Sequence, residues 1–336
     1  MPAEWEPHDA TWVAWPHDKN DWPGKFAPVR WVYGEIVRRI AESEKTRVLV
    51  QNAETEKEAR RVLTSAGASL QNVEFYRIPT DRVWIRDYGP VFVRSGGEIA
   101  AVDFRFSGWA KYPNHKRDDR VPRAIAAKTG VNLIDASDFV LEGGAMDVNG
   151  NGTLLTTEEC MLDAEVQSRN PGLDAGEIET RLKNQLGATN VLWLGKGVAG
   201  DDTHGHVDDL CRFVNKNTVV LCREENPVDA NYQPLNENRE RLQGMRLEDG
   251  SKINTAFLPM PAPVVFNGQR LPASYANFYI TNSTVLVPTF NDKNDRLALG
   301  VLADFFPGRT VVGIHSVDLV WGLGTIHCLT KQQPKG

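Results

Sequence analysis

Only four cysteines occur in 336 residues, Cys160, Cys211, Cys222 and Cys328, and none forms a CxxC pair or a dense framework. Reduced thiols are therefore expected rather than a disulfide scaffold. Long apolar runs are missing too: the chain offers short pieces such as Thr218 to Cys222, far below the roughly 20 residues that cross a bilayer. The segment MPAEWEPHDATW has neither a basic start nor an apolar signal core, so a cytoplasmic location is expected. No basic cluster stands out among 38 Lys and Arg against 44 Asp and Glu, a formal charge of −6. That balance argues against a nucleic-acid partner and suits a small cationic ligand. What is present, 41% hydrophobic and 24% charged residues with 28 Gly and 19 Pro scattered throughout, is the profile of a folded globular chain and excludes disorder and collagen.

Strand-like and helix-like patterns alternate from end to end. Val29, Val32, Ile36 and Ile40 recur at helical spacing, TRVLVQ and VEFYRI read as strands, and a helix from Glu54 to Ser65 lies between them. Further helices are expected at Arg120 to Thr129, Ala175 to Leu186, Pro234 to Met245 and Asp295 to Phe306. Four hairpins of one design intervene: VFVR-SGG-EIAAV, GAMDV-NGNG-TLLTT, LCRFV-NKN-TVVLC and NFYI-TNS-TVLVP. Each carries a polar marker at or just ahead of its start: Asp87, Glu142, the His206 and Asp208 pair, and Asn277. TIHCLT, with Cys328, is a fifth such segment. The markers lie 55, 64, 71 and 51 residues apart, which divides the chain into about five units of roughly 67 residues. Units closing around an axis would gather the markers at the middle of an α/β propeller. No linker or shift in composition appears, so residues 1–336 are read as a single catalytic domain.

Three constellations compete for the chemistry. Gly195 to Gly200 matches GxGxxG, but no amphipathic helix follows to hold a pyrophosphate, and Gly197 and Gly200 are read as turn glycines. In the HxHxD run, strand alternation would put His204, His206 and Asp208 on one side as metal ligands, yet no second paired histidine motif supports them. The third set combines Asp87, Glu142, His206, Asp208 and Cys328: a nucleophile, an acid/base with a carboxylate, and two further carboxylates. Singly, each has an ordinary reading, such as a surface Arg86–Asp87 pair or a buried filler cysteine. Together they suit a guanidinium, whose planar fork of N–H donors is gripped by paired carboxylates, here Asp87 and Asp208. Charge delocalisation makes its carbon a poor electrophile, so a thiolate is the fitting nucleophile. Cys160, Cys211 and Cys222 are expected to leave the chemistry untouched when replaced.

The motifs WIRDYGP, DFRFSGWAKY, LEGGAMDVNGNGTLLTTEEC, DDTHGHVDD, LPASYANFYI and IHCLTKQQP, together with the opening MPAEWEPHDATWVAWPH, occur in the order found in the agmatine deiminase family, which includes the bacterial type of peptidylarginine deiminase. The chain resembles that family over nearly its whole length. The resemblance implies a five-bladed ββαβ propeller, with Cys328 as nucleophile, His206 as acid/base, Glu142 as its partner, and Asp87 and Asp208 as guanidinium ligands. It implies no cofactor and no metal. Trp84 is expected over the alkyl chain of the substrate, Asp202 or Asp201 at its amine, and Asn277 among the substrate contacts. The expected reaction is agmatine to N-carbamoylputrescine and ammonia; deimination of another guanidine, peptidylarginine included, is the alternative, and a silent guanidinium-binding protein is the rival outside the class. The expected partner is a small cationic guanidino substrate, with neither nucleic acid nor membrane, and a homo-oligomer is left open.

Two departures from the family pattern bear on the substrate. The segment before the cysteine is Gly322-Leu-Gly-Thr-Ile-His-Cys328 where GGGNIHC is usual, and Thr80-Asp81-Arg82 replaces an acidic pair. If Arg82 points into the pocket it repels a terminal amine; if outward, it is neutral to the choice. Gly108 and Ala110 stand where the peptidylarginine branch carries carboxylate-binding arginines, which favours a small amine substrate.

Overall fold

Helices form where apolar residues recur every three or four positions, and hairpins where β-branched runs meet a tight turn; the two alternate along all 336 residues of the computed structural model. In chain order come β1 (His8–Ala14), α1 (Phe26–Ile40), β2 (Lys45–Val50), α2 (Ala53–Ser65) and β3 (Val73–Arg77). A short helix α3 (Ile85–Tyr88) leads into β4 (Val91–Ser95), β5 (Glu98–Arg105), α4 (Val121–Thr129) and β6 (Asn132–Val140). Then follow β7 (Asp147–Val148), β8 (Thr153–Thr157), α5 (Glu158–Leu162), α6 (Ala175–Leu186) and β9 (Asn190–Leu194). The next group is β10 (Cys211–Asn215), β11 (Thr218–Arg223), α7 (Tyr232–Gly244) and β12 (Asn254–Pro259). A small hairpin, β13 (Val265–Phe266) and β14 (Gln269–Arg270), precedes β15 (Tyr279–Ile280), β16 (Thr284–Thr289), α8 (Asp295–Phe305), β17 (Thr310–His315) and β18 (Thr330–Pro334).

The result is a mixed α/β fold of separate small sheets, four of them with one repeated pattern: β4-β5-β6, β7-β8-β9, β10-β11-β12 and β15-β16-β17. In each, the first pair is an antiparallel hairpin and the second is parallel, the crossover being helical because parallel neighbours need a long connection. All four expected hairpins form, with pairings such as Phe213↔Val219 and Leu286↔Tyr279. The segment carrying Cys328 finds its antiparallel partner at the other end of the chain. There β18 lies against β1 with Thr11 opposite Gln332, and β2 and β3 extend that sheet in parallel.

Helix α1 buries Val29, Tyr33, Ile36, Val37 and Ile40, one stripe at helical spacing. Helix α6 matches its expected bounds because Asp174 and Glu177 form a capping box at its start and Gly187, at φ 69°, ends it. The five polar markers all lie immediately ahead of the first strand of their unit: Asp87 before β4, Glu142 before β7, His206 and Asp208 before β10, Asn277 before β15, and Cys328 before β18.

Candidate active site

These lead-in segments meet. Asp87, Glu142, His206, Asp208 and Cys328 are all buried; Asp87, His206 and Asp208 converge beside Gly144, Glu142 stands beside His206, and the Cys328 sulfur lies 4.0 Å from Asp208 Oδ2. A Cβ built on Gly144 would stand 2.5 Å from His206 Nδ1, 2.8 Å from Asp87 Oδ1 and 3.1 Å from Asp208 Oδ2. Glycine at this position thus keeps open the space on which three reactive groups converge. The backbone of Gly144 also donates to Asp87 Oδ1 at 3.0 Å, and Trp109 Nε1 donates to Asp87 Oδ2 at 2.9 Å.

His206 stands among carboxylates at ion-pair distances: Glu142 Oε2 is 3.6 Å from Nε2, and Asp87 Oδ1 and Asp208 Oδ1 are 3.7 and 4.0 Å from Nδ1. Neither ring nitrogen, nor Asp208 Oδ1, has a hydrogen-bond partner within the protein. Buried polar atoms left free are uncommon and call for a partner that the protein itself does not supply. Burial alone would lower the His206 pKa, but Asp87, then Cys160 and Glu142, outweigh it and hold the imidazole well above its usual range. Glu142 is kept ionised against its burial by Arg169, whose Nε lies 3.2 Å from both carboxylate oxygens. Asp208 likewise falls below its usual value despite burial, chiefly through His327, whose Nδ1 lies 2.6 Å from Oδ2.

Cys328 presents its sulfur to the same space. Burial and then Asp208, Asp209 and Asp87 push its thiol well above the ordinary range, and Asn277 Nδ2, donating at 3.2 Å, opposes them. Burial also raises Asp87, with Asp208 and Glu142 adding to the rise and His206 opposing it. A planar cation bound here would oppose the rise at both Asp87 and Cys328 and favour their anions.

Cys328 and Asp87 open onto a pocket walled by Arg82, Trp84, Trp109, Tyr112, Asp202 and Leu323. Its cavity volume is only about 30 Å³, a narrow opening. A roomier groove of about 420 Å³ between Arg223, Met260 and Leu297 contains no thiol and no histidine.

Trp84 is a wall of the pocket, tilted against Trp22 with ring centroids 5.6 Å apart. Arg82 lines the mouth but its charge is taken up by Asp21 at 3.0 Å, and its guanidinium lies 4.4 Å from the Tyr112 ring centre. Asp202 reaches the pocket while holding Lys111 Nζ at 2.5 Å and Tyr112 Oη at 2.6 Å. Two of the expected contacts are engaged elsewhere. Asn277 does not line the pocket: its two N–H groups serve Asp209 and Cys328, and its oxygen accepts from Thr325 and the His327 backbone. Asp201 is committed to its own loop, accepting from Thr203, Gly205 and His206 backbone N–H groups. Cys160, whose replacement is expected to leave the chemistry untouched, has its sulfur within 4.8 Å of the nearest Glu142 and His206 ligand atoms.

The HxHxD run is no strand. His204, at φ 63°, turns the chain and pairs with Asp163 at 2.8 Å, while His206 points inward. Donor atoms that could share a metal ion are instead grouped as Glu142, Cys160 and His206, and as Asp208, Asp209 and Cys328. Nor does GxGxxG open a helix; Gly197 and Gly200 are required by packing, since added Cβ atoms would stand 2.7 Å from Gly205 Cα and from the Arg270 carbonyl. The Arg86–Asp87 pair is not on the surface: both are buried, and Arg86 bonds Glu4, Gln332 and the His327 carbonyl. Trp109, Arg169, His327 and Glu4 were not singled out from sequence, although Trp109 lies in the DFRFSGWAKY motif and His327 adjoins the cysteine.

The fold that gathers a cysteine, a histidine and carboxylates here is one shared with solved deiminase structures. An agmatine deiminase of Enterococcus faecalis catalysing its reaction superposes with a TM-score of 0.92 at 33% identity, covering 100% of this chain and 95% of that one. A cysteine-to-serine variant of C. jejuni agmatine deiminase with substrate bound gives 0.89 at 30% identity, covering 100% and 96%. In sequence, the agmatine deiminase of Ectopseudomonas mendocina is 34% identical over 99% of this chain and 95% of its own length. The family model described as Porphyromonas-type peptidyl-arginine deiminase matches residues 1–334, and the chain belongs to that family.

Proposed function

We propose that the chain is an agmatine deiminase, hydrolysing the guanidinium C–N bond of agmatine to N-carbamoylputrescine and ammonia. The observation that carries this reading is the convergence of His206, Asp87 and Asp208 on the space beside Gly144, next to the Cys328 sulfur. Relatives of that name, similar over nearly the whole chain, support it.

In this mechanism Asp87 and Asp208 grip the planar cation, and its charge offsets the carboxylates that keep Cys328 protonated; the thiol proton passes to solvent. The thiolate attacks the guanidinium carbon. His206, held cationic by Asp87 and Glu142, donates its proton to the departing nitrogen, ammonia leaves, and a thiouronium remains on Cys328. Neutral His206 then takes a proton from water, the hydroxide adds to the same carbon, and collapse to the ureido C=O expels the sulfur, which takes the O–H proton and is restored as the thiol. Asp202 is the proposed contact for the distal amine, and Trp84 and Leu323 flank the alkyl chain. A narrow pocket and an Arg82 already neutralised by Asp21 favour a small amine over a peptide. No cofactor enters the scheme.

We also infer that the five lead-in segments mark five blades around one axis, forming a single catalytic unit, which the repeated sheet pattern supports. No helix is long and apolar enough to cross a membrane, and with four free cysteines a cytoplasmic location suits this reading. A panel of agmatine, arginine and arginyl peptides, scored for ammonia and ureido product, tests the function. Turnover of agmatine above the others is expected; inertness toward all would overturn it.

A further inference from the structure

Behind the pocket, Glu4 reaches the centre of the molecule from the segment ahead of β1 and is 4% exposed. Its carboxylate takes four donors from four distant segments. Oε1 accepts from Arg212 Nη2 at 3.0 Å and the Ile280 backbone at 2.9 Å, and Oε2 from Arg86 Nη2 at 3.1 Å and His327 Nε2 at 2.8 Å. His327 continues the line, with Nδ1 2.6 Å from Asp208 Oδ2. Each nitrogen of the ring thus faces a carboxylate oxygen, which when ionised only accepts, so the ring donates at both ends and is locked in one orientation. Asp208 is thereby held by one oxygen while Oδ1 stays without a partner.

We propose that Glu4 is a positioning residue for cation binding: through His327 it fixes Asp208 so that its carboxylate faces the guanidinium. The inference rests on Asp208 gripping the substrate, as proposed above. Burial pushes the Glu4 carboxyl up, but Arg212, His327 and Arg86 outweigh it and hold it well below the usual carboxylate range, consistent with a permanent anion at this hub. A purely structural staple would hold Arg86 and Arg212 without affecting how the site treats a cation, and that difference can be measured.

The experiment compares alkylation of Cys328 in the full chain by chloroacetamidine, an amidinium, and by neutral iodoacetamide. Native protein is expected to favour the amidinium. In Glu4→Gln, whose amide cannot accept at both oxygens, the ratio of the two rates is expected to fall about 10- to 100-fold, the scale for losing groups that orient primary ligands, with the iodoacetamide rate nearly constant. KM for agmatine should rise in step. An unchanged ratio in folded Glu4→Gln overturns the proposal. Should that variant not fold, His327→Asn, which leaves Arg86 and Arg212 on Glu4, decides in its place: the same fall supports the relay and an unchanged ratio overturns it. The ratio needs only a cation and a thiol, so it stays readable even if agmatine is not the substrate; failure of the functional reading appears separately, as absent turnover by native protein.

Discussion

Asn277 Nδ2 donates to the Cys328 sulfur at 3.2 Å while Asn277 Oδ1 receives the backbone N–H of His327 at 3.0 Å, so one buried amide both orients that thiol and holds its loop. It is also the group that opposes the rise in the thiol pKa. Replacing it by Ala should lower kcat about 10- to 100-fold, the scale of a hydrogen bond to a charged group. The rate of Cys328 alkylation by iodoacetamide at fixed pH should fall in parallel.

Thiolate formation should depend on the ligand. Burial, Asp208, Asp209 and Asp87 hold the Cys328 thiol well above its ordinary range, which favours the protonated form. A bound guanidinium opposes the carboxylates and should move the titration to lower pH. The difference in ultraviolet thiolate absorbance between native chain and Cys328→Ala, recorded with and without guanidinium ion, checks this; coincident curves would contradict it. The same shift has a sign for folding. The unfolded thiol ionises first, near about 8.5, so the contribution of this group to stability is present below that pH and is lost as pH rises toward the folded value.

Trp109 is aimed at Asp87 by an uncommon backbone: Gly108, Trp109 and Ala110 have φ of 66°, 58° and 52°, three left-handed residues in succession. Such conformations are costly outside glycine and persist where the surroundings impose them. Trp109→Phe, which keeps the ring but loses the donor, should lower kcat/KM about 10-fold or more. Ala110→Gly should instead stabilise the protein by up to about 1 kcal/mol in a thermal melt with turnover retained.

At the mouth, Lys111 Nζ occupies Asp202, the carboxylate proposed to meet the substrate amine. Lys111 is exposed and competes with that amine for the same oxygen. Lys111→Met should therefore lower KM for agmatine about 2- to 5-fold, the scale of an exposed ion pair, and leave KM for butylguanidine, which lacks the amine, unchanged. A rise in KM for agmatine would mean that Lys111 supports the mouth rather than competing there.

Sequence patterns were informative where the controlling forces are local. The hairpins were legible because SGG, NGNG, NKN and TNS turns separate β-branched runs, and the bounds of α6 because Asp174, Glu177 and Gly187 cap it. The spacing of polar markers, one ahead of each first strand, also exposed Asp87, Glu142, His206, Asp208 and Cys328 as a set. Local patterns misled where tertiary contacts decide. Strand alternation put His204 and His206 on one side, but a positive φ at His204 sends them apart. The partners of Asn277 were not legible, since they lie about 50 residues away in sequence, at Cys328 and Thr325. Glu4 could not be found at all: its donors, Arg86, Arg212, Ile280 and His327, are scattered over the chain and meet only in the folded core.

The most direct test is mass spectrometry of protein acid-quenched during agmatine turnover and digested to peptides. A covalent amidine adduct on Cys328, lost in Cys328→Ser and formed only slowly in Asp208→Asn, is the expected result. An adduct on Cys160, or turnover with no protein-bound intermediate, would contradict the thiouronium mechanism.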